Sequence, residues 1–236
     1  MTSSDKLILA LDVPDFAAAK KMIEELGDEV NFYKIGLELL MSGDYFKLLS
    51  YLKDQGKKVF CDLKLYDISE TVARAVKNLS QYDVDLLTIH TASFEIMQKA
   101  AQNKGKMQVI GVTVLTNLEQ NDLLAMGFDP KVSLEDLVIK KTALALEAGL
   151  DGIVASGLEA PNLRKNFGKE FLIVSPGIRL QAVANDDQKR VCDVKMALKN
   201  GSSHLVVGRP ITRDVNPKAA ARQFNQLINE TLATSI

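Results

Sequence analysis

Cysteine is scarce in this 236-residue chain: only Cys61 and Cys192 occur, far apart and outside any C-x-x-C or metal-ligand spacing. That argues against a cysteine-based metal site and points to a reducing, cytoplasmic setting. Charge of one sign is missing too. The 29 basic and 30 acidic side chains leave a formal charge of −1, so no global field draws nucleic acid or an anionic membrane, and an anionic substrate must be met by local positive groups. Long apolar runs are absent as well. After "MTSSDK" comes only "LILAL", which Asp12 closes well short of signal-peptide or membrane-spanning length. Neither an export signal nor a membrane segment is expected.

No Ser/Gly-rich linker divides the chain, so residues 1–236 read as one domain. Hydrophobic residues make up 47% and charged residues 25%, the balance of a globular domain able to bury its own core.

What is present is a regular alternation. Eight short β-type runs recur along the chain: "LILAL", "VNFYKI", "KVFCDL", "DLLTIH", "QVIGVTVL", "GIVA", "FLIVS" and "HLVVG". Helical patterns follow them near 15–26, 44–55, 70–81, 94–103, 133–148, 159–166, 189–199 and 217–233, several opened by a capping residue or Pro. Repeated β-then-α order favours a parallel sheet, and eight repeats favour closure into a TIM (β/α)₈ barrel over an open doubly wound sheet. In such a barrel the chemistry sits at the C-terminal strand ends and in the loops after them.

Ionisable residues recur at those places: Asp12 after the first run, Lys34 late in the second, Asp62 and Lys64 at the end of the third, His90 at the end of the fourth. Side chains alternate along a strand, so Asp62 and Lys64 share the face toward the barrel mouth, while Cys61 and Leu63 face the helices. Charges in a poorly solvated mouth need opposite partners. Two acids, Asp62 and Asp67, with two bases, Lys34 and Lys64, make a neutral array. Flanking carboxylates keep Lys64 protonated, which suits a proton donor better than an amine nucleophile. A plain salt-bridge cluster is the alternative for any one charged strand end, and repetition across strands favours function. His90 has no visible partner and reads as a structural histidine.

Phosphate-binding features close the chain. "HLVVGRPIT" puts Gly208 and Arg209 directly after the last strand, where barrels offer backbone N–H groups to a phosphate and an arginine adds a bidentate grip. "SPGIRLQAVANDDQKRV", after the seventh strand, is long and polar and carries Arg179 and Gln188, as expected of a loop that folds over a ligand. Arg179 and Arg209 then converge on one phosphate.

The D-x-K-x-x-D of Asp62, Lys64 and Asp67, together with "PGIR" and "VGRPI", resembles the orotidine 5′-phosphate decarboxylase family from Asp12 to Arg209. Keto-gulonate-phosphate decarboxylase and hexulose-phosphate synthase resemble the same D-x-K-x-x-D. "LALDVPD" with Asp12, "YKIGLEL" with Lys34, "TVLTNL" with Thr116 and "DDQKRV" with Gln188 look like the nucleotide decarboxylase instead. "DISET" stands where that family commonly has D-I-P-N-T, and Leu180 follows "PGIR" where Pro is frequent.

The resemblance implies that Lys64 delivers a proton to C6 of orotidine 5′-monophosphate, with Asp62 beside the departing carboxylate. Lys34 and Asp12 then hold the ribose hydroxyls, Thr116 faces the pyrimidine, Arg179, Gln188, Gly208 and Arg209 bind the phosphate, and Ile68, Thr71 and Pro176 are further substrate-binding residues. It further implies a homodimer in which Asp67, Ile68 and Thr71 serve the neighbour's site. Loss of CO₂ leaves a carbanion with no conjugated sink, for which a fixed cation is the stabiliser, and phosphate binding can close the 176–190 loop. No metal or organic cofactor is expected. The rival readings are a metal-dependent barrel enzyme on a phosphosugar, against which Lys34 argues, a Schiff-base aldolase, and a non-catalytic phosphate-binding barrel.

Overall fold

The structure, a computed structural model, describes residues 3–180 and 192–234. Its strands are β1 (Leu7–Ala10), β2 (Phe32–Gly36), β3 (Lys58–Leu65), β4 (Leu86–His90), β5 (Gln108–Val112), β6 (Gly152–Val154), β7 (Leu172–Ser175), the short β8 (Ile178–Arg179) and β9 (Cys192–Asp193), and β10 (His204–Val207). β1, β10, β7, β6, β5, β4, β3 and β2 pair in that order as a closed parallel barrel, and β8 pairs with β9 beside it. Eight parallel strands alternating with helices make a TIM barrel.

Each expected strand is present because each run is apolar on both faces, as a strand between barrel interior and helix layer must be. Ile8, Ala10, Phe32, Phe60, Leu86, Ile110, Val174 and Val206 fill the interior. Their neighbours, including Leu7, Leu9, Tyr33, Cys61, Leu87 and Ile153, face outward into the larger core under the helices. Both cysteines are free and buried, and burial pushes the Cys61 thiol up to about 12.

The helices start where side chains cap them. Asp15 accepts from the Ala18 amide at 2.8 Å before Phe16–Leu26, Ser93 accepts from Ile96 before Phe94–Asn103, and Ser133 with Asp136 forms a capping box before Leu134–Glu147. The helix expected over 189–199 begins later, at Val194, because Cys192 and Asp193 are extended and Asp193 caps it through the Met196 amide. Residues 189–191 lie outside the described residues. Short helices at Ser3–Lys6, Leu37–Met41, Gln120–Ala125 and Arg209–Thr212 were not anticipated, since each is too short to show a helical period.

At the barrel floor, opposite the strand ends, His204 points inward. It is 4% exposed, its ring meets Phe32 edge-on at 5.8 Å, and its Nδ1 has no partner. Burial, helped by Lys6 and Lys58, pushes its pKa down to about 4.

Candidate active site

The C-terminal strand ends open into a cleft of about 440 Å³. Ala10, Phe60, Val154, Val174 and Val206, from the barrel interior, form its apolar base. Above that base stands a chain of alternating charges. Lys34 Nζ lies 2.9 Å from Asp12 Oδ1 and 3.5 Å from Asp62 Oδ2, and Lys64 Nζ donates to Asp62 Oδ1 at 2.8 Å.

The order acid, base, acid, base decides the protonation of the inner pair. Burial costs an ion several kcal/mol, whereas an opposite charge about 4 Å away at an effective dielectric of 20 returns roughly 4 kcal/mol. Asp62 and Lys34 each have two opposite partners. Burial pushes the Asp62 carboxyl up, but Lys34, Lys64 and the hydrogen bonds from Lys64 and Thr88 outweigh it, and its pKa ends below the usual carboxylate value. Burial likewise pulls Lys34 down, and Asp62 and Asp12 outweigh it, leaving its pKa raised. Both stay ionised.

Within one chain the second acid of this array is Asp12. Within one chain Asp67 is exposed and accepts from its neighbour's amide, Ile68 N, at 2.6 Å. Ile68 and Thr71 are exposed too, and none of the three lines the cleft. Asp62 and Lys64 do share the mouth, and Cys61 and Leu63 the helix side, but simple alternation is not what aims Lys64. β3 pairs regularly with β4 as far as Cys61↔Leu87 and resumes at Leu65↔Ile89, leaving two extra residues in β3. Lys64 sits in this bulge at φ 47°, a left-handed conformation that costs a non-glycine residue roughly 1–2 kcal/mol.

Thr116, Pro176, Arg179, Gly208 and Arg209 line the same cleft as Asp12, Lys34, Asp62 and Lys64. Both arginines therefore lie at one cleft. Arg209 opens the short Arg209–Thr212 helix, with Pro210 in its first turn. Gln188 and most of the 176–190 segment lie outside the described residues. His90, half-buried, packs against Tyr66 with ring centroids 5.7 Å apart and the ring planes tilted by 58°; burial, then Lys141 and Lys64, lower its pKa, so it is neutral at pH 7.

Three features escaped the sequence reading. Glu38 and Arg213 also line the cleft, but each lies within a short helix or just after one, beyond the strand end, and no spacing rule marks it. Gly36 ends β2 beside the ion pairs, where an added Cβ would lie at ordinary contact distance, 3.5 Å from both Lys34 Nζ and the Asp62 carbonyl oxygen and 3.9 Å from Asp12 Oδ1. Thr88 holds the bulge, and only the pairing register reveals it. Among the described residues, no group of three or more His, Cys, Asp or Glu is arranged to hold a metal ion, and no helix is long and apolar enough to cross a membrane.

A closed barrel with ionised side chains converging at its C-terminal mouth places the protein among the TIM-barrel enzymes. More narrowly, the chain belongs to the orotidine 5′-phosphate decarboxylase / HUMPS family, whose model matches residues 5–224. It is 48% identical over 231 residues to the orotidine 5′-phosphate decarboxylase of Methylococcus capsulatus, a match spanning 98% of this chain and 94% of that protein. The protein of the same name from Stenotrophomonas maltophilia is 45% identical over 234 residues, spanning 99% and 96%. The crystal structure of orotidine 5′-phosphate decarboxylase from Lactobacillus acidophilus superposes with a TM-score of 0.83 at 31% identity, covering 94% of this chain and 98% of that one.

Proposed function

We propose that this protein decarboxylates orotidine 5′-monophosphate to uridine 5′-monophosphate, as a carboxy-lyase of de novo pyrimidine synthesis in the cytoplasm, with residues 1–236 as one catalytic domain. The observation that carries this reading is the alternating array of Asp12, Lys34, Asp62 and Lys64 in one cleft with Arg179 and Arg209. The names of the full-length relatives support the nucleotide over a phosphosugar.

In this mechanism the phosphate is gripped by Arg179, Gln188 and Arg209 and by the Gly208 backbone, Pro176 lines the substrate cleft, Thr116 faces the pyrimidine, and Asp12 and Lys34 hold the ribose hydroxyls. The C6–carboxylate bond breaks heterolytically, CO₂ leaves, and the electron pair remains on C6. Lys64 stabilises that charge and transfers a proton from Nζ to C6; water then reprotonates the amine. Asp62, ionised beside the substrate carboxylate, fixes the Lys64 ammonium. No step calls for a metal or an organic cofactor.

The active unit in this reading is a homodimer in which Asp67, Ile68 and Thr71 complete the neighbour's site. Exposure of the apolar side chains around Asp67 supports it: Tyr66 and Ile68 are each 71% exposed. A mixed dimer of Lys64→Ala and Asp67→Ala subunits should regain activity in one of its two sites, and a mixed dimer as inactive as either parent would refute the shared site.

The activity is tested by following the loss of orotidine 5′-monophosphate absorbance with and without EDTA. Decay that EDTA leaves unchanged is the expected result. Decay abolished by EDTA would favour a metal-dependent mechanism, and nucleotide binding without decay would favour a non-catalytic barrel.

A further inference from the structure

We propose that Thr88 is a positioning residue for the reaction, its hydroxyl locking both the Lys64 backbone and the Asp62 carboxylate. This rests on the roles assigned above to Lys64 and Asp62. Thr88 is fully buried in β4, at the one place where the β3–β4 ladder fails. Its flanking residues pair with Cys61 and Leu65, so Thr88 alone stands opposite Asp62, Leu63 and Lys64. Side-chain bonds replace the lost ladder: the Lys64 amide donates to Thr88 Oγ1 at 3.0 Å, and Thr88 Oγ1 donates to Asp62 Oδ1 at 2.8 Å.

The direction of both bonds is forced. The Lys64 N–H can only donate, so Thr88 Oγ1 accepts from it, and the hydroxyl proton is left for the ionised carboxylate. Asp62 Oδ1 also accepts Lys64 Nζ, which closes a ring from the Lys64 backbone through Thr88 and Asp62 to the Lys64 ammonium. One hydroxyl thereby secures the left-handed turn that aims the proton donor and the carboxylate that orients it. With Thr88 fully buried, water cannot take its place. Valine matches threonine in shape and makes neither bond; serine makes both.

Thr88→Val should lower kcat about 10- to 100-fold, the loss of a buried hydrogen bond to a charged group, while KM changes little because Thr88 does not line the cleft. The acid limb of kcat/KM should move to higher pH in this variant, because the Thr88 bond helps hold Asp62 ionised. The charged and titratable groups facing Asp62 are Lys34 from β2, Lys64 and the Cys61 thiol from β3, His90 from β4, the buried Tyr45 phenol and, through Lys34, Asp12; all are unchanged in the variant. Thr88→Ser should keep both kcat and the acid limb near the parent's. Should Thr88→Val not fold, Thr88→Ala carries the same comparison. A valine or alanine variant with parental kcat and an unmoved acid limb would overturn the proposal, as would a serine variant as impaired as valine. Lys64→Ala, assayed alongside, separates the two readings: its inactivity beside a fully active Thr88→Val refutes only the role of Thr88, whereas its own near-normal turnover refutes the role of Lys64.

Discussion

The mouth and the floor of this barrel both bury titratable groups, with opposite outcomes. At the mouth Asp62 and Lys34 remain ionised because each faces two opposite charges within 3.5 Å. At the floor His204 is as well buried but faces cationic Lys6 and Lys58 and has an unpartnered Nδ1, so it is held neutral. The same fold wall encloses both. Partners, not depth, decide whether a buried group carries charge, and only the end supplied with partners has charges ready for chemistry.

The comparison is tested most severely at Lys64. Lys64→Ala should lower kcat by about 10³-fold or more while nucleotide binding remains measurable by calorimetry, because a proton donor acts mainly in the transition state. Near-normal turnover would show that the charged mouth is only structural. At the floor, the change should appear in stability and not in rate. The unfolded His204 binds a proton below about pH 6.5, and the folded one only near pH 4. Its contribution is therefore intact above pH 6.5 and lost as pH falls toward 4, by about 3 kcal/mol in all. Chemical denaturation of His204→Leu across that window should give a flatter stability profile, with kcat at pH 7 unchanged; a parental slope would refute a neutral buried histidine.

Smaller effects distinguish parts of the mouth itself. Arg209→Ala should raise KM about 10- to 100-fold, since a charged grip on phosphate is removed, and an unchanged KM in steady-state kinetics would transfer that grip to other groups. Gly36→Ala should reduce kcat/KM by less than about tenfold. The added methyl would meet Lys34 Nζ and the Asp62 carbonyl at ordinary contact distance, and a larger loss would mean that the ion-pair spacing tolerates no adjustment.

Much of this was legible in the chain. The eight apolar runs announced the barrel because strands buried on both faces must be apolar throughout, and "CDLKLYD" placed two ionisable residues on one face of a strand end. "PGIR" and "VGRPI" marked both arginines that line the cleft. Less legible was which acid joins the array within one chain. Asp67 is near Lys64 in sequence, but it follows the strand end and turns outward, whereas Asp12, distant in sequence, lies across β1 and β2 from Lys34. The helix expected from 189 shows the same limit on a small scale, because its true start at Val194 is set by the Asp193 cap and the β8–β9 pairing.

The sequence by itself determined the alternation of strands and helices, the identity of the charged strand ends and the arginines after the last two barrel strands, since these depend on residue type and local period. Only the tertiary structure decided which charges pair, that Lys64 adopts a left-handed bulge, and that a fully buried threonine on the next strand holds it there. The physical reason is that closing the barrel sets the register between strands, and register, which no single strand contains, brings Thr88 opposite Asp62 and Lys64.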